Sequence, residues 1–183
     1  MAARSVTYGS PWMVFPSAIG SLAPESSYAS DSSSSRSEIG ARWLLTQRGL
    51  GATNHFESCG FIRSRAGVRH PDIQFHFLPA LVEDHGRSKG RMHAFQSHVG
   101  PMRPASTGWL RLRSADPRQH PLIEPNYLAE ARDRAEMRDC VRLTREIFAQ
   151  PAFDRFRGRE LQPGAGVTDD AAIDAFVRAK ADS

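Results

Sequence analysis

The spacing of apolar residues changes once along the chain, and that change restricts the fold more than any other feature. In PDIQFHFLPA (71–80), Ile73, Phe75 and Phe77 recur at every second position, with Gln74, His76 and Leu78 between them. This is the pleat of a strand with one face toward a core. From Leu128 to about Gln150 the step becomes three and four. Leu128, Ala131, Ala135, Met137, Val141, Thr144, Ile147 and Phe148 fall mostly on one side, and Pro151 closes the run. Such a pattern predicts a long amphipathic helix.

The remaining segments follow the same division. NHFESCGFIRS (54–64), with Gly60 as the place for a bulge, MHAFQSHVGPM (92–102) and GWLRLRS (108–114) read as strands. In the last, Trp109, Arg111 and Arg113 oppose Leu110 and Leu112, which predicts a half-buried strand. ADPRQHPLIEPNYL must turn, because Pro117, Pro121 and Pro125 remove backbone donors and bias the residues before them away from helix. A short helix is expected in EIGARWLLTQRGLG, where Ile39, Trp43 and either Leu44 or Leu45 have helical spacing and Gly49 and Gly51 end it. A final helix should follow Thr168 as N-cap, with Asp169 and Asp170 in its first turn and Ile173, Phe176 and Val177 as its buried stripe.

Strands first and helices afterwards give an α+β class, a mostly antiparallel sheet flanked by helices. Alternating strand and helix units are missing, as is a GxGxxG behind a first strand, so a Rossmann-like dinucleotide-binding domain is not expected in these 183 residues. Residues 1–36 include SLAPESSYASDSSSSR, too polar to offset an ordering cost of about 1 kcal/mol or more per residue. A disordered leader over 1–36 and one domain over 37–183, with order beginning near Glu38, are therefore expected.

Composition removes several function classes. The net charge is +4, but 24 Lys and Arg are scattered among 20 Asp and Glu, with no basic tract or aromatic-basic repeat, which argues against nucleic acid as a partner. No apolar run reaches the length of a membrane span. Cys59 and Cys140 are far apart and outside any CxxC, which suits two buried thiols in a reducing compartment such as the cytoplasm. His85, His93 and His98 lack the HExxH spacing and a supporting set of carboxylates, so no metal is expected. His76 with Gln74 is the better chemical candidate, since a neutral imidazole fixed on a sheet can donate to or accept from a hydroxyl. A histidine on a solvated strand face would leave the same pattern. Asn54, His55 and Glu57 read as a hydrogen-bonded strand end.

ASTGWLRLRSADPRQHPLIEPNYL resembles the start of the C-terminal region of the glucose-methanol-choline (GMC) oxidoreductases: Gly108, the strand WLRLRS, Asp116-Pro117, Pro121, Ile123 and the NYL of 126–128, then TREIFAQPAF at 144–153. WLLTQRGLGATNHFESCGFIRS, PDIQFHFLPA, FQSHVGPMRP and FRGRELQPG are similar, in the same order, to the choline dehydrogenase branch. The resemblance spans about residues 38–183 and implies the substrate-binding domain of an FAD-dependent enzyme that oxidises choline, or a similar primary alcohol, toward its aldehyde. It also implies that His76 lines the substrate pocket and hydrogen-bonds the alcohol oxygen, with Gln74 beside it.

Two departures follow from the family pattern. Ser106-Thr107-Gly108 stands where the family has Ser-Arg-Gly. The Gly-rich FAD fingerprint expected before residue 38 and the catalytic His-Pro…Gly-Thr expected after the last helix are not found; His70-Pro71 and His120-Pro121 lack the Gly-Thr and are rejected as catalytic. The expectation is a partial domain, inactive and weakly FAD-binding alone, with no catalytic residue of its own and with a separately encoded FAD half as one partner. Its expected location is the cytoplasm or the periphery of an inner membrane. The alternative is a non-catalytic module that captures choline or another quaternary ammonium on Phe75, Phe77 and Phe95. In either case an apolar surface larger than a monomer tolerates should be left bare.

Overall fold

The hairpin of β2 (Ser58–Ile62) and β3 (Ile73–Leu78) organises the molecule. In this computed structural model the described residues are 17–18, 33–52, 56, 58–79, 81–83, 88–89 and 94–180. The hairpin register runs unbroken from Ser58 opposite Phe77 to Ile62 opposite Ile73. Its connection is clipped by Asp72, whose carboxylate accepts from the Ser64 backbone N–H and the Ser64 hydroxyl, both at 2.7 Å. β6 (Gln96–Pro101) pairs antiparallel along the other side of β3, and β1 (Ser17–Ala18) pairs with β6 in turn. The sheet order is therefore β1-β6-β3-β2, antiparallel throughout. β4 (Val82–Glu83) with β5 (Ser88–Lys89) and β7 (Trp109–Arg111) with β8 (Leu122–Glu124) form two small hairpins.

One face of the sheet is covered by α2 (Ala131–Phe148). Ile73, Phe75 and Val99 meet Met137, Cys140 and Val141 there, and Ile173 and Val177 of α3 (Asp170–Lys180) close the core from beyond α2. Burying each such side chain contributes about 1.5–3 kcal/mol. A second cluster sits at the end of α2, where Phe148 meets Phe95 and Phe153 at ring-centroid distances of 5.1 Å.

Polar side chains lock the loops to this frame. Asp133 on α2 is 0% exposed and accepts from the backbone N–H groups of Ala105 and Ser106, both at 2.7 Å. Burial alone would raise its pKa, but those hydrogen bonds outweigh burial and hold the carboxyl below its ordinary range. Arg145 donates to Glu160 (3.0 Å) and to the carbonyls of Val167 (2.8 Å) and Gly164 (3.1 Å), binding the RELQPG stretch to α2. Arg138 donates to both oxygens of Asp174 at 2.9 Å and ties α2 to α3.

The structure also gives the NYL turn a physical cause. Asn126 and Leu128 have positive φ (53° and 58°), the Asn126 side chain donates to the Thr107 carbonyl at 3.0 Å, and Leu128 is buried in the core. A Cβ on Gly108 would lie 2.1 Å from the Glu124 carbonyl oxygen, so only glycine lets the two strands of the hairpin approach here.

Several sequence expectations need correction. α1 spans Ser33–Thr46, starting before Glu38, and Leu44 and Leu45 are 71% and 82% exposed because no described element covers that stripe. β1 also lies within 1–36; the rest of residues 1–32 is outside the described residues. Gly60 sits in regular register opposite Phe75, with no bulge, since no residue of β2 is left unpaired between Ser58 and Ile62. Cys140 is buried as expected, but Cys59 is exposed, because β2 is the edge strand of the sheet. WLRLRS yields only three strand residues, and Leu112 is 80% exposed because no described layer covers that hairpin. β8 lies within the segment expected only to turn. Asp169, not Thr168, caps α3: its carboxylate accepts from the Ala172 N–H at 2.8 Å.

Candidate functional site

The pleat of β3 sends Phe75 and Phe77 toward α2 and Gln74 and His76 to the opposite face. The register then adds what spacing along one strand cannot supply. His76 lies directly opposite His98, and Leu78 opposite Gln96. Directly paired residues share a face, so two glutamines and two histidines form one polar strip on the side of the sheet away from α2.

The strip is organised as two matching pairs. The Gln74 side-chain amide donates to His76 Nε2 at 2.8 Å, and the Gln96 amide donates to His98 Nε2 at 2.5 Å. An Nε2 that accepts leaves the ring proton of a neutral imidazole on Nδ1. Both glutamines are buried, and both histidines are half-buried. The Phe56 ring stands roughly perpendicular to both imidazoles, at centroid distances of 5.9 Å to His76 and 6.2 Å to His98. That ring is 50% exposed, so the pair has one aromatic neighbour still in contact with solvent.

The electrostatics distinguish the two histidines. Burial, with a contribution from the charge of His76, pushes His98 from its ordinary 6.5 down to about 4. His98 is therefore an uncharged hydrogen-bonding group at neutral pH. Cys59 shares the row, opposite His76 on β2. Even so, among the described residues no group of three His, Cys, Asp or Glu is placed to hold a metal ion.

A separate cavity of about 510 Å³ lies on the helix-facing side of the sheet. Phe75, Phe77, Phe95, Phe148, Phe153 and Phe156 line it. The pleat thus divides the two groups singled out from sequence: Gln74 and His76 belong to the polar strip, and the phenylalanines to the cavity behind it. Gln96, His98 and Phe56 were missed, because their relation to His76 arises from pairing between distant segments. His70 and His120 are exposed and outside both features. Asn54, His55, Glu57, His85 and His93 are outside the described residues. Among those described, no helix is long and apolar enough to cross a membrane.

Comparison with known proteins adds a family to this geometry. Residues 104–183 match the family model described as GMC oxidoreductase. Over 145 residues the chain is 63% identical to the mitochondrial choline dehydrogenase of Mus musculus, a match that covers 79% of this chain and 24% of that protein. It is 56% identical over 149 residues to the oxygen-dependent choline dehydrogenase of Photobacterium profundum, covering 81% of this chain and 26% of the relative. The chain thus spans about a quarter of the length of the curated relatives it matches. An FAD-dependent oxidoreductase from Chaetomium thermophilum has the same fold over 93% of this chain and 35% of its own, with a TM-score of 0.69 and 16% identity. Residues 104–183 carry the similarity to the GMC oxidoreductase family model, and the choline dehydrogenase relatives extend it over about four fifths of the chain.

Proposed function

We propose that this chain supplies the substrate-facing wall of a flavoenzyme that oxidises choline or a similar primary alcohol, with His76 and Gln74 as substrate contacts. The observation that carries this reading is the strip of two Gln–His pairs lying side by side beneath the half-exposed ring of Phe56. A neutral imidazole N–H donates to an alcohol oxygen, and the bond strengthens as that oxygen gains negative charge. The face of an aromatic ring attracts a quaternary ammonium. An amino alcohol carries both groups, and Gln74 holds the imidazole in one tautomer for it.

FAD is the cofactor that the family implies. Among the described residues no strand runs through a glycine-rich turn into a helix N-terminus, the arrangement that cradles a dinucleotide pyrophosphate. The part proposed for this chain is therefore to bind and orient the alcohol. The identities support choline as the substrate class of the relatives.

A second reading has its own observation. Phe75, Phe77 and Phe95 line one aromatic cavity, which suits capture of a quaternary ammonium without redox chemistry. Titration of choline into isotopically labelled 183-residue protein separates the two. Saturable shifts of the His76 and Gln74 side-chain signals support the first reading. Shifts confined to Phe77 and Phe153 support the second, and no shift at either place overturns both. The same preparation should carry no stoichiometric flavin absorbance and reduce no artificial oxidant with choline.

A further inference from the structure

We propose that His98 is a second positioning residue of this site, acting beside His76 on the same substrate. The inference rests on the reading of the His76 strip as a substrate wall, and it concerns a residue that neither the sequence pattern nor the family resemblance assigns. Three independent features of the structure carry it. First, His98 is the cross-strand partner of His76, so its ring stands next to that of His76 on the same face of the sheet. Second, the arrangement at His76 is repeated: each imidazole accepts at Nε2 from a glutamine two residues before it on its own strand, which fixes the ring and its tautomer. Third, one phenylalanine ring stands roughly perpendicular to both imidazoles, so Phe56 borders His98 as it borders His76.

The chemistry of the repeat points to specificity for a cation. Two histidines side by side would repel a positively charged substrate if both took up protons. Burial keeps His98 uncharged down to about pH 4, so His98 offers a hydrogen bond without adding a fixed positive charge. A positive side chain at this position should exclude a quaternary ammonium and spare an uncharged alcohol of the same shape.

The test compares choline with 3,3-dimethylbutan-1-ol, its uncharged isostere, by monitoring the histidine ring signals of the 183-residue protein. In the native protein choline should move the His98 and His76 signals together, with the same midpoint. In His98→Lys the midpoint for choline should rise at least about tenfold and that for the isostere less than about threefold, as expected for a like charge close to the bound cation. A merely structural role would weaken both ligands alike. Equal weakening, or no change for either, overturns the role of His98 and leaves the His76 reading standing. Should His98→Lys fail to fold, the native titration decides alone: a His76 shift without a His98 shift overturns the inference. If neither histidine responds in the native protein, the reading of the strip falls and the role of His98 falls with it.

Discussion

At the scale of single residues, the buried polar groups are those whose removal should cost most. Asp133 accepts from both the Ala105 and the Ser106 N–H groups, and Asn at that position can accept through only one oxygen. Asp133→Asn should lose about 1–3 kcal/mol of unfolding free energy, measured as a lower urea midpoint at unchanged slope. The pH dependence has a definite sign. Asp133 and Asp72 have folded-state pKa values below their ordinary 3.8, and His98 one below its ordinary 6.5. A depressed folded pKa means that the unfolded chain binds the proton first, so stability is full above the unfolded value and lost as the pH falls toward the folded one. For His98 that window runs from 6.5 to about 4. Unfolding free energy should drop by about 2–3 kcal/mol across it, and His98→Gln should flatten the drop. A difference curve between the two proteins that stays level from pH 7 to 4.5 would contradict this.

At the scale of elements, legibility followed the range of the interaction. The faces of β3 and most of the buried stripe of α2 were plain, because each is set by a period within one segment, although Ala131 at the start of α2 is exposed. The strip containing His98 was not, because Ile73 and Pro101 had to be placed opposite each other before His76 and His98 could meet. α1 was read as a helix with Ile39 and Trp43 on one side, and it is one, but its exposed leucines depend on what lies beyond it. Asp133 escaped the apolar pattern of α2 because its burial is justified by backbone donors from a loop far away in sequence. Gly108 is the sharpest local case. An added methyl group would have to displace the Glu124 carbonyl, so Gly108→Ala should separate β7 from β8 at a cost of about 1–3 kcal/mol. Faster amide hydrogen exchange at Leu110 and Ile123, with α2 unchanged, would report it.

For the molecule as a whole, the apolar residues left exposed are grouped by element. Among the described residues Trp43, Leu44 and Leu45 stand on α1, Trp109, Leu112, Leu122 and Ile123 on or beside the β7–β8 hairpin, Phe56 and Phe61 at the β2 edge, and Phe156 in the segment after α2. Surfaces of this kind mark contact sites. The 183-residue protein should therefore bind a hydrophobic dye in its native state and self-associate as its concentration rises. A strictly monomeric sedimentation profile without dye fluorescence would contradict that expectation.

The division of labour along β3 has one further consequence, for insertions and deletions. Odd-numbered side chains of this strand are committed to oil, and even-numbered ones to the imidazole row. Gaining or losing a single amino acid in the Arg63–Asp72 connection, with β3 sliding to keep its hydrogen-bond ladder, would invert every one of these commitments at once. Two-residue changes would preserve them. An insertion that the connection absorbs as a longer loop would leave them untouched, so both faces depend on the register of β3 and not on the length of chain before it.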